Sequence, residues 1–385
     1  MTRKHSLYHL FALAALLVIP ALHPASAVET SAPQAIVIDY DTGAVLFEKN
    51  ADEKVGPASM AKMMTAHLLF ERLKDGRLSL EDTMAVSETV WKKWVKSEGS
   101  KMFVQVGTKV KVEDLIRGIV VQSGNDASDV VAETLAGTEE AFAREMNRRA
   151  QEMGMSNTRF QNASGWPAPD QYTTVRDLAT LAVGTIRDFP DFYHYYAEKT
   201  YKYNNIDQGN RNPLLYKDIG ADGLKTGHTE ESGYGLAGSA IRDGRRIVVV
   251  VHGTKSMRER GEQAELLLEW AFREWAQYAL YDAGETVGSV PVWLGNKETV
   301  PVVIRDKLAV SILRKARRDM TVKIVHQKAV PAPISKGDQV AKLVIAAPGV
   351  TPIEVPLYAG ADIRERGFFG RIGPAIMYLV RAGAS

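Results

Sequence analysis

Two short β-rich apolar runs, residues 35–39 and 44–48, flank the turn signal Tyr40-Asp41-Thr42-Gly43 and predict a β-hairpin. An apolar run over 63–73 then predicts a helix. Pro57 and Ser59 sit where a helix starts, with Ser59 as its cap, and Gly76 and the polar connector from Leu78 to Asp82 end it. Helical periodicity returns over 112–121, 127–135, 139–153 and 175–187, whereas 162–172, with Gly165, Pro167 and Pro169, predicts a loop. The stretch holding Trp91, Trp94 and Met102 shows no decisive period. Leu224-Lys225-Thr226-Gly227 opens a second β-rich region, with strands expected over 234–241 and 246–252 around an Asp243-Gly244 turn. An amphipathic helix is expected over 262–278, with Leu266, Leu267, Trp270 and Trp275 on its apolar side. Strands at both ends with helices between them predict an α+β domain, one antiparallel sheet with helices against it.

The pattern changes near Asp282-Ala283-Gly284. Short runs such as 300–304, 308–312 and 320–324 follow, punctuated by turn signals, and predict a small all-β domain over 284–367. No internal repeat is visible.

The two termini differ from both domains. Arg3, Lys4 and His5 precede an apolar run from Leu7 to Leu22, and Ala25-Ser26-Ala27 follows. This is the layout of a secretory signal peptide over 1–27, with an uncleaved anchor as the alternative, so the first domain is expected over 28–283. Residues 368–385 mix aromatic and aliphatic side chains with Arg371 and Arg381, just after Arg364 and Arg366. The apolar part is too short to span a bilayer, and suits a segment lying in a membrane interface or one docked on the β domain.

Composition narrows the classes. At 385 residues, 45% hydrophobic and 24% charged, the chain is an ordinary globular protein of two or three domains. A net charge of +2 argues against a dedicated nucleic-acid surface. The absence of cysteine excludes disulfides, thiolate metal sites and a cysteine nucleophile.

Three short motifs carry candidate chemistry: Ser59-x-x-Lys62, Ser123-Gly124-Asn125 and Lys225-Thr226-Gly227. A serine and a lysine three apart share one helix face, near backbone N–H groups that favour negative charge. A serine becomes a nucleophile when a base within reach takes its proton. Lys62 can serve if burial and a neighbouring cation, for which Lys225 is a candidate, lower its pKa. The Ser123 hydroxyl can relay a proton to a leaving amine, and the Asn125 amide can bind a substrate amide while fixing Lys62. Lys225 offers a cation to a substrate carboxylate. Each motif alone also fits a capped helix, a plain turn or a strand end; their ordered co-occurrence in an exported chain favours chemistry.

The trio is one known from class A β-lactamases and penicillin-binding proteins. With Asp39-Tyr40-Asp41-Thr42-Gly43, the stretch from Asp222 to Thr229, and Phe368-Phe369-Gly370, the chain resembles the low-molecular-mass penicillin-binding proteins of the 5/6 kind, which are serine-type D-alanyl-D-alanine carboxypeptidases. The resemblance runs from Gln34 to about Arg371. It implies a β-lactamase/transpeptidase-like domain followed by a β-rich domain and an amphipathic anchor. The implied enzyme removes the terminal D-alanine from peptidoglycan stem peptides through an acyl-enzyme on Ser59. It also implies acylation by β-lactam antibiotics, a role in cell-wall maturation and cell shape, and a periplasmic location at the outer face of the cytoplasmic membrane. No metal or other cofactor is expected. The backbone N–H groups of Ser59 and His228 are the implied oxyanion hole. Thr226, Gly227 and His228 join Asn125 and Lys225 in binding substrate, and Arg260, with Arg258 as the alternative, is the implied second cation for the carboxylate. Tyr172 stands where some members have histidine.

Rival readings share the fold or dispense with catalysis. A β-lactamase of class A also needs a glutamate for deacylation, and no Glu-x-x-Leu-Asn lies between Ser123 and Lys225. A D-Ala-D-Ala endopeptidase has the same motifs. A non-catalytic envelope scaffold would not need the intact trio. Gly-x-Ser-x-Gly and His-Glu-x-x-His are absent, so His67 and His252 read as packing or surface residues.

Overall fold

The computed structural model describes residues 28–326 and 328–367. The expected signal peptide and the expected anchoring tail therefore lie outside the described residues. The first unit begins with β1 (Gln34–Asp39) and β2 (Val45–Lys49), the hairpin expected from the sequence. A 3-10 turn (Ala58–Ala61) leads into α1 (Lys62–Lys74), followed by β3 (Thr83–Ala85), α2 (Glu88–Val95), β4 (Lys109–Lys111), α3 (Val112–Val120), α4 (Asn125–Ala136) and α5 (Glu139–Glu152). Next come α6 (Val175–Asp188), α7 (Pro190–Tyr193), β5 (Thr200–Tyr203), β6 (Ile206–Gly209), β7 (Ala221–Thr229), β8 (Gly233–Arg242), β9 (Arg245–Thr254) and α8 (Met257–Glu274).

The main sheet has the strand order β2-β1-β9-β8-β7, all neighbours antiparallel, so strands from both ends of the unit meet in its middle. Its two faces feed two cores through the period-two alternation of β9. Val248 and Val250 pack with Ile36, α1 and α6, and Ile247, Val249 and Val251 pack with α8. Central burial explains why α1 reads as an apolar run rather than a stripe: Met63 through Phe70 are all buried. The β8–β9 turn places Asp243 and Gly244 at φ +50° and +77°, the conformation a two-residue hairpin with matching twist demands. Ser87, Thr138, Thr174 and Ser256 each cap a helix by accepting a backbone N–H. The stretch around Trp91 and Trp94 forms α2, with Trp94 buried.

Two expectations need correction. Ser59 caps nothing. The 3-10 turn before α1 makes no side-chain capping bond, and the Ser59 hydroxyl instead accepts from Lys62. The last helix begins at Met257 and ends at Glu274, with Leu266 on its solvent side. Trp275–Tyr281 is a strand, β10, paired with β13 (Leu308–Leu313). Apolar Trp270, Ala271 and Trp275 fit either period, and no glycine or proline marks the change, so pairing with β13 decides it. The all-β unit thus takes its first strand from residues before 282.

That unit continues with β11 (Thr286–Trp293), β12 (Thr299–Val303), β13, β14 (Thr321–Val325), β15 (Val330–Pro331), β16 (Gln339–Ala347) and β17 (Val350–Ala359) around a separate core. An edge-to-face series, Phe47–Trp270–Trp275, and a Thr42–Ser311 hydroxyl contact of 2.8 Å join it to the first unit. Among the described residues no helix is long and apolar enough to cross a membrane.

Candidate active site

The 3-10 turn, the loop before α4 and strand β7 converge on one point. Lys62, fully buried, donates from Nζ to Ser59 Oγ at 2.9 Å, to Asn125 Oδ1 at 2.7 Å and to the Ser164 carbonyl at 2.6 Å. Lys225, also buried, donates to Ser123 Oγ at 3.0 Å and to the Thr226 carbonyl at 3.1 Å. The three motifs therefore meet in space, with the serine–lysine pair on one side and the second lysine on the other.

The backbone around them is shaped for close approach. Ala58 and Ser123 occupy the left-handed region, at φ +46° and +60°, and sparsely populated conformations of this kind are held only where the surroundings over-determine them. Gly165 sits at φ +75°, and a Cβ there would lie 1.8 Å from the Ala58 carbonyl oxygen. A Cβ on Gly227 would come within 3.0 Å of Ala58 Cβ and 3.2 Å of the Pro57 carbonyl oxygen. Glycine at both positions lets the loop and β7 press against the turn that carries Ser59. The Asp126 carboxylate accepts the backbone N–H groups of Met102, Phe103 and Val104, which fixes residues 102–104 beside the start of α4.

Electrostatics follow from this packing. Burial, and then the Arg211 guanidinium, bring Lys62 down to about 7, against opposition from Asp129 and Asp126. Burial holds Lys225 well below the usual ammonium range, helped by Lys62, Arg211 and Arg260. Lys225, the candidate neighbour from the sequence, repels the Lys62 ammonium, and Arg211 is a further cation that lowers both lysines. Arg260 is buried and donates to the carbonyls of Gly227 (3.4 Å) and Arg211 (3.3 Å), and its Nε has no acceptor among the described residues. Burial pulls its guanidinium down to about 10. Arg258 instead points to solvent and pairs with Glu262, so geometry separates the two arginines that sequence leaves open. His228 is exposed and stacks on Tyr234, 3.8 Å between ring centroids. His228 and Tyr234 border a cleft of about 1010 Å³ that also runs past Ala58, Gly165, Asp170 and Gln171.

Sequence reasoning misses Arg211, Ser164 and Asn162. Asn162 Oδ1 accepts from the N–H groups of Ser164 and Gly165 and so aims the Ser164 carbonyl at Lys62. Asn162 and Ser164 offer only a loop signal in sequence, and Arg211 offers none. Tyr172 pairs through its backbone with Arg159, and its ring lies 4.0 Å from the Lys54 ammonium. His67 bonds Thr185, and His252 bonds the Gly56 carbonyl; both are buried packing residues.

Comparison with known proteins agrees with the geometry. Residues 21–256 match the family model described as D-alanyl-D-alanine carboxypeptidase, and 275–365 match the one for the C-terminal domain of penicillin-binding protein 5. The chain is 36% identical to the D-alanyl-D-alanine carboxypeptidase DacC of Escherichia coli over 89% of its length and 86% of the relative's. It is 33% identical to DacA of Haemophilus influenzae over 90% of this chain and 88% of that one. Penicillin-binding protein 5 from Haemophilus influenzae superposes with a TM-score of 0.82 at 33% identity, covering 89% of this chain and all of that one (100%). Penicillin-binding protein 6B from Escherichia coli gives 0.72 at 29% identity, covering 86% and 96%. A serine and lysine in contact, a second serine–lysine pair opposite and this two-unit architecture occur together because the chain belongs to the D-alanyl-D-alanine carboxypeptidase family, the serine hydrolases of the penicillin-binding protein 5 type.

Proposed function

We propose that the chain hydrolyses the last peptide bond of peptidoglycan stem peptides ending in D-Ala-D-Ala, with Ser59 as nucleophile and Lys62 as its base. The contact that carries this reading is Lys62 Nζ at 2.9 Å from Ser59 Oγ, on a lysine whose burial brings it to about 7. A neutral Lys62 takes the hydroxyl proton as Ser59 Oγ bonds to the scissile carbonyl carbon. The backbone N–H groups of Ser59 and His228 receive the developing oxyanion. The proton reaches the departing amine through the Ser123 hydroxyl, the C–N bond breaks and D-alanine leaves. Water, activated by the same lysine, then hydrolyses the ester. Asn125 holds Lys62 and a substrate amide. Lys225, Thr226 and Arg260 take the terminal carboxylate, and Gly227 keeps that strand edge open. Penicillins acylate the same serine. Incubating the full chain, freed of residues 1–27, with a pentapeptide ending in D-Ala-D-Ala should release one D-alanine per peptide. Stable penicillin labelling without any D-alanine release would overturn the carboxypeptidase assignment.

We infer that residues 1–27 direct export and that residues 368–385 hold the protein on the outer face of the cytoplasmic membrane. The mixture of aromatic, aliphatic and arginine side chains on a segment too short to span supports this. Deleting 368–385 should move the protein from the membrane to the soluble fraction with its activity intact. Equal membrane association with and without the tail would refute the anchor.

A further inference from the structure

One half-buried cluster beside the site takes no part in the scheme above. Asp129 lies one turn after Asn125 on α4, is 3% exposed, and its Oδ2 accepts from Lys93 Nζ at 2.7 Å and from Trp94 Nε1 at 2.6 Å. Lys93 Nζ also reaches Glu139 Oε2, in the first turn of α5, at 2.6 Å. One ammonium thus clamps two carboxyls, one oxygen of each lying within 2.7 Å of it. Their remaining oxygens, Asp129 Oδ1 and Glu139 Oε1, are both buried and have no donor. Two buried acceptors held at one ammonium are costly to leave without donors, and a single proton held by the pair supplies one. Burial and the Glu139 charge also raise the Asp129 carboxyl, against opposition from Lys93.

The cluster leads back to the site by contact. Trp94 meets Trp166 edge to face, 5.4 Å between centroids, and Trp166 follows the Ser164–Gly165 step whose carbonyl receives Lys62. A Cβ on Gly99 would lie 2.6 Å from Asn125 Nδ2, 2.9 Å from the Trp166 ring and 3.2 Å from the Trp94 ring, so these three side chains converge on one spot. We propose that Asp129 is a positioning residue for the reaction: sharing one proton with Glu139, it holds Trp94, and through it Trp166 and the Asn125 amide, in the arrangement that fixes Lys62. This rests on Lys62 and Ser59 being the reactive pair. With the proton in place, Lys93, Asp129 and Glu139 sum to zero charge. Once it leaves, the cluster carries a net negative charge and two repelling oxygens, and the wall behind Asn125 loosens. The charges that bear on Asp129 are Lys93 from α2, Glu139 from α5 and, on its site side, Lys62 from α1, with Asp126 earlier on α4 also facing Lys62.

The test has two arms. The first reads the pair without turnover: in Ser59→Ala protein, the Trp94 indole N–H resonance is followed between about pH 5 and 10, a span wide enough to cover a raised carboxyl. It should titrate well above the usual carboxylate range and stop doing so in Glu139→Gln, whose amide supplies a permanent donor. A flat Trp94 resonance, or one that titrates equally in Glu139→Gln, overturns the shared proton. The second arm measures kcat and KM against pH on a D-Ala-D-Ala peptide. Asp129→Ala should lower kcat roughly tenfold with KM little changed, as misplaced catalytic groups do, and Asp129→Asn should restore most of it. The alkaline fall of kcat should vanish in Glu139→Gln. If Asp129→Ala lowers only the melting temperature and leaves kcat and its pH profile alone, the positioning role is wrong. A wild-type chain without turnover would fail the carboxypeptidase reading, and the first arm would still decide the proton.

Discussion

Replacing Lys62 with glutamine will lower both penicillin acylation of Ser59 and turnover of a D-Ala-D-Ala peptide by about 10²–10⁴-fold, the usual contribution of a positioned general base. Glutamine roughly keeps the length of the side chain and can still donate to Asn125 and Ser164, so the fold should survive while the proton acceptor is lost. Ser59→Ala should abolish covalent labelling altogether. The pH dependence of the unmodified protein follows from the direction of the Lys62 shift. Burial disfavours the ammonium and lowers its pKa to about 7, so the neutral, base-competent form is scarce below that value and predominates above it. Acylation should therefore rise with pH through about 7, and any decline should come only at the more alkaline pH where the Asp129–Glu139 pair loses its proton. Arg211 helps to hold the value down, so Arg211→Gln should move this rise to higher pH. Mass spectrometry of the penicillin adduct over time gives all of these rates. A label that persists on Ser59→Ala, or an acylation rate that is flat between pH 5 and 9, would remove the serine–lysine pair from the chemistry.

A peptide whose terminal D-alanine is amidated should be cleaved about 10- to 100-fold less efficiently than the free acid, the loss expected for one charge-assisted contact of about 1.5–3 kcal/mol. Lys225 and Arg260 lie buried at the site, where a bound carboxylate favours the charged form of each and little water screens the attraction. Arg260 can present two parallel N–H groups to a carboxylate, and its Nε is already without an acceptor. Gripping the carboxylate also aims the neighbouring carbonyl at Ser59, so kcat should fall along with affinity. Arg260→Ala should narrow the gap between acid and amide substrates, whereas Arg258→Ala should leave it unchanged because that guanidinium is exposed and paired with Glu262. Comparison of kcat/KM for the two peptides decides the matter. Equal cleavage of acid and amide would favour an endopeptidase.

The chain by itself determined the hairpin at 35–48, the α+β order of the first unit, the β-rich second unit and the three motifs that meet at the site. Each of these is a local pattern, a run of apolar positions, a turn pair or a fixed spacing, and local chemistry writes it directly into the sequence. Tertiary structure alone decided the rest. Ser59 reads as a cap but sits in a 3-10 turn, because Gly165 and Gly227 admit neighbouring backbone that pins Ala58 in a left-handed conformation. Trp275 reads as helix but starts a strand, because β13 offers it a partner. The burial of Arg260 beside an exposed Arg258, the Arg211 charge near Lys62, the Ser164 carbonyl on Lys62 and the two carboxyls that share Lys93 have no sequence signature. They arise where separate helices, loops and strands are packed together, and a lysine spaced three from a serine can serve as a base only when that packing strips away its water.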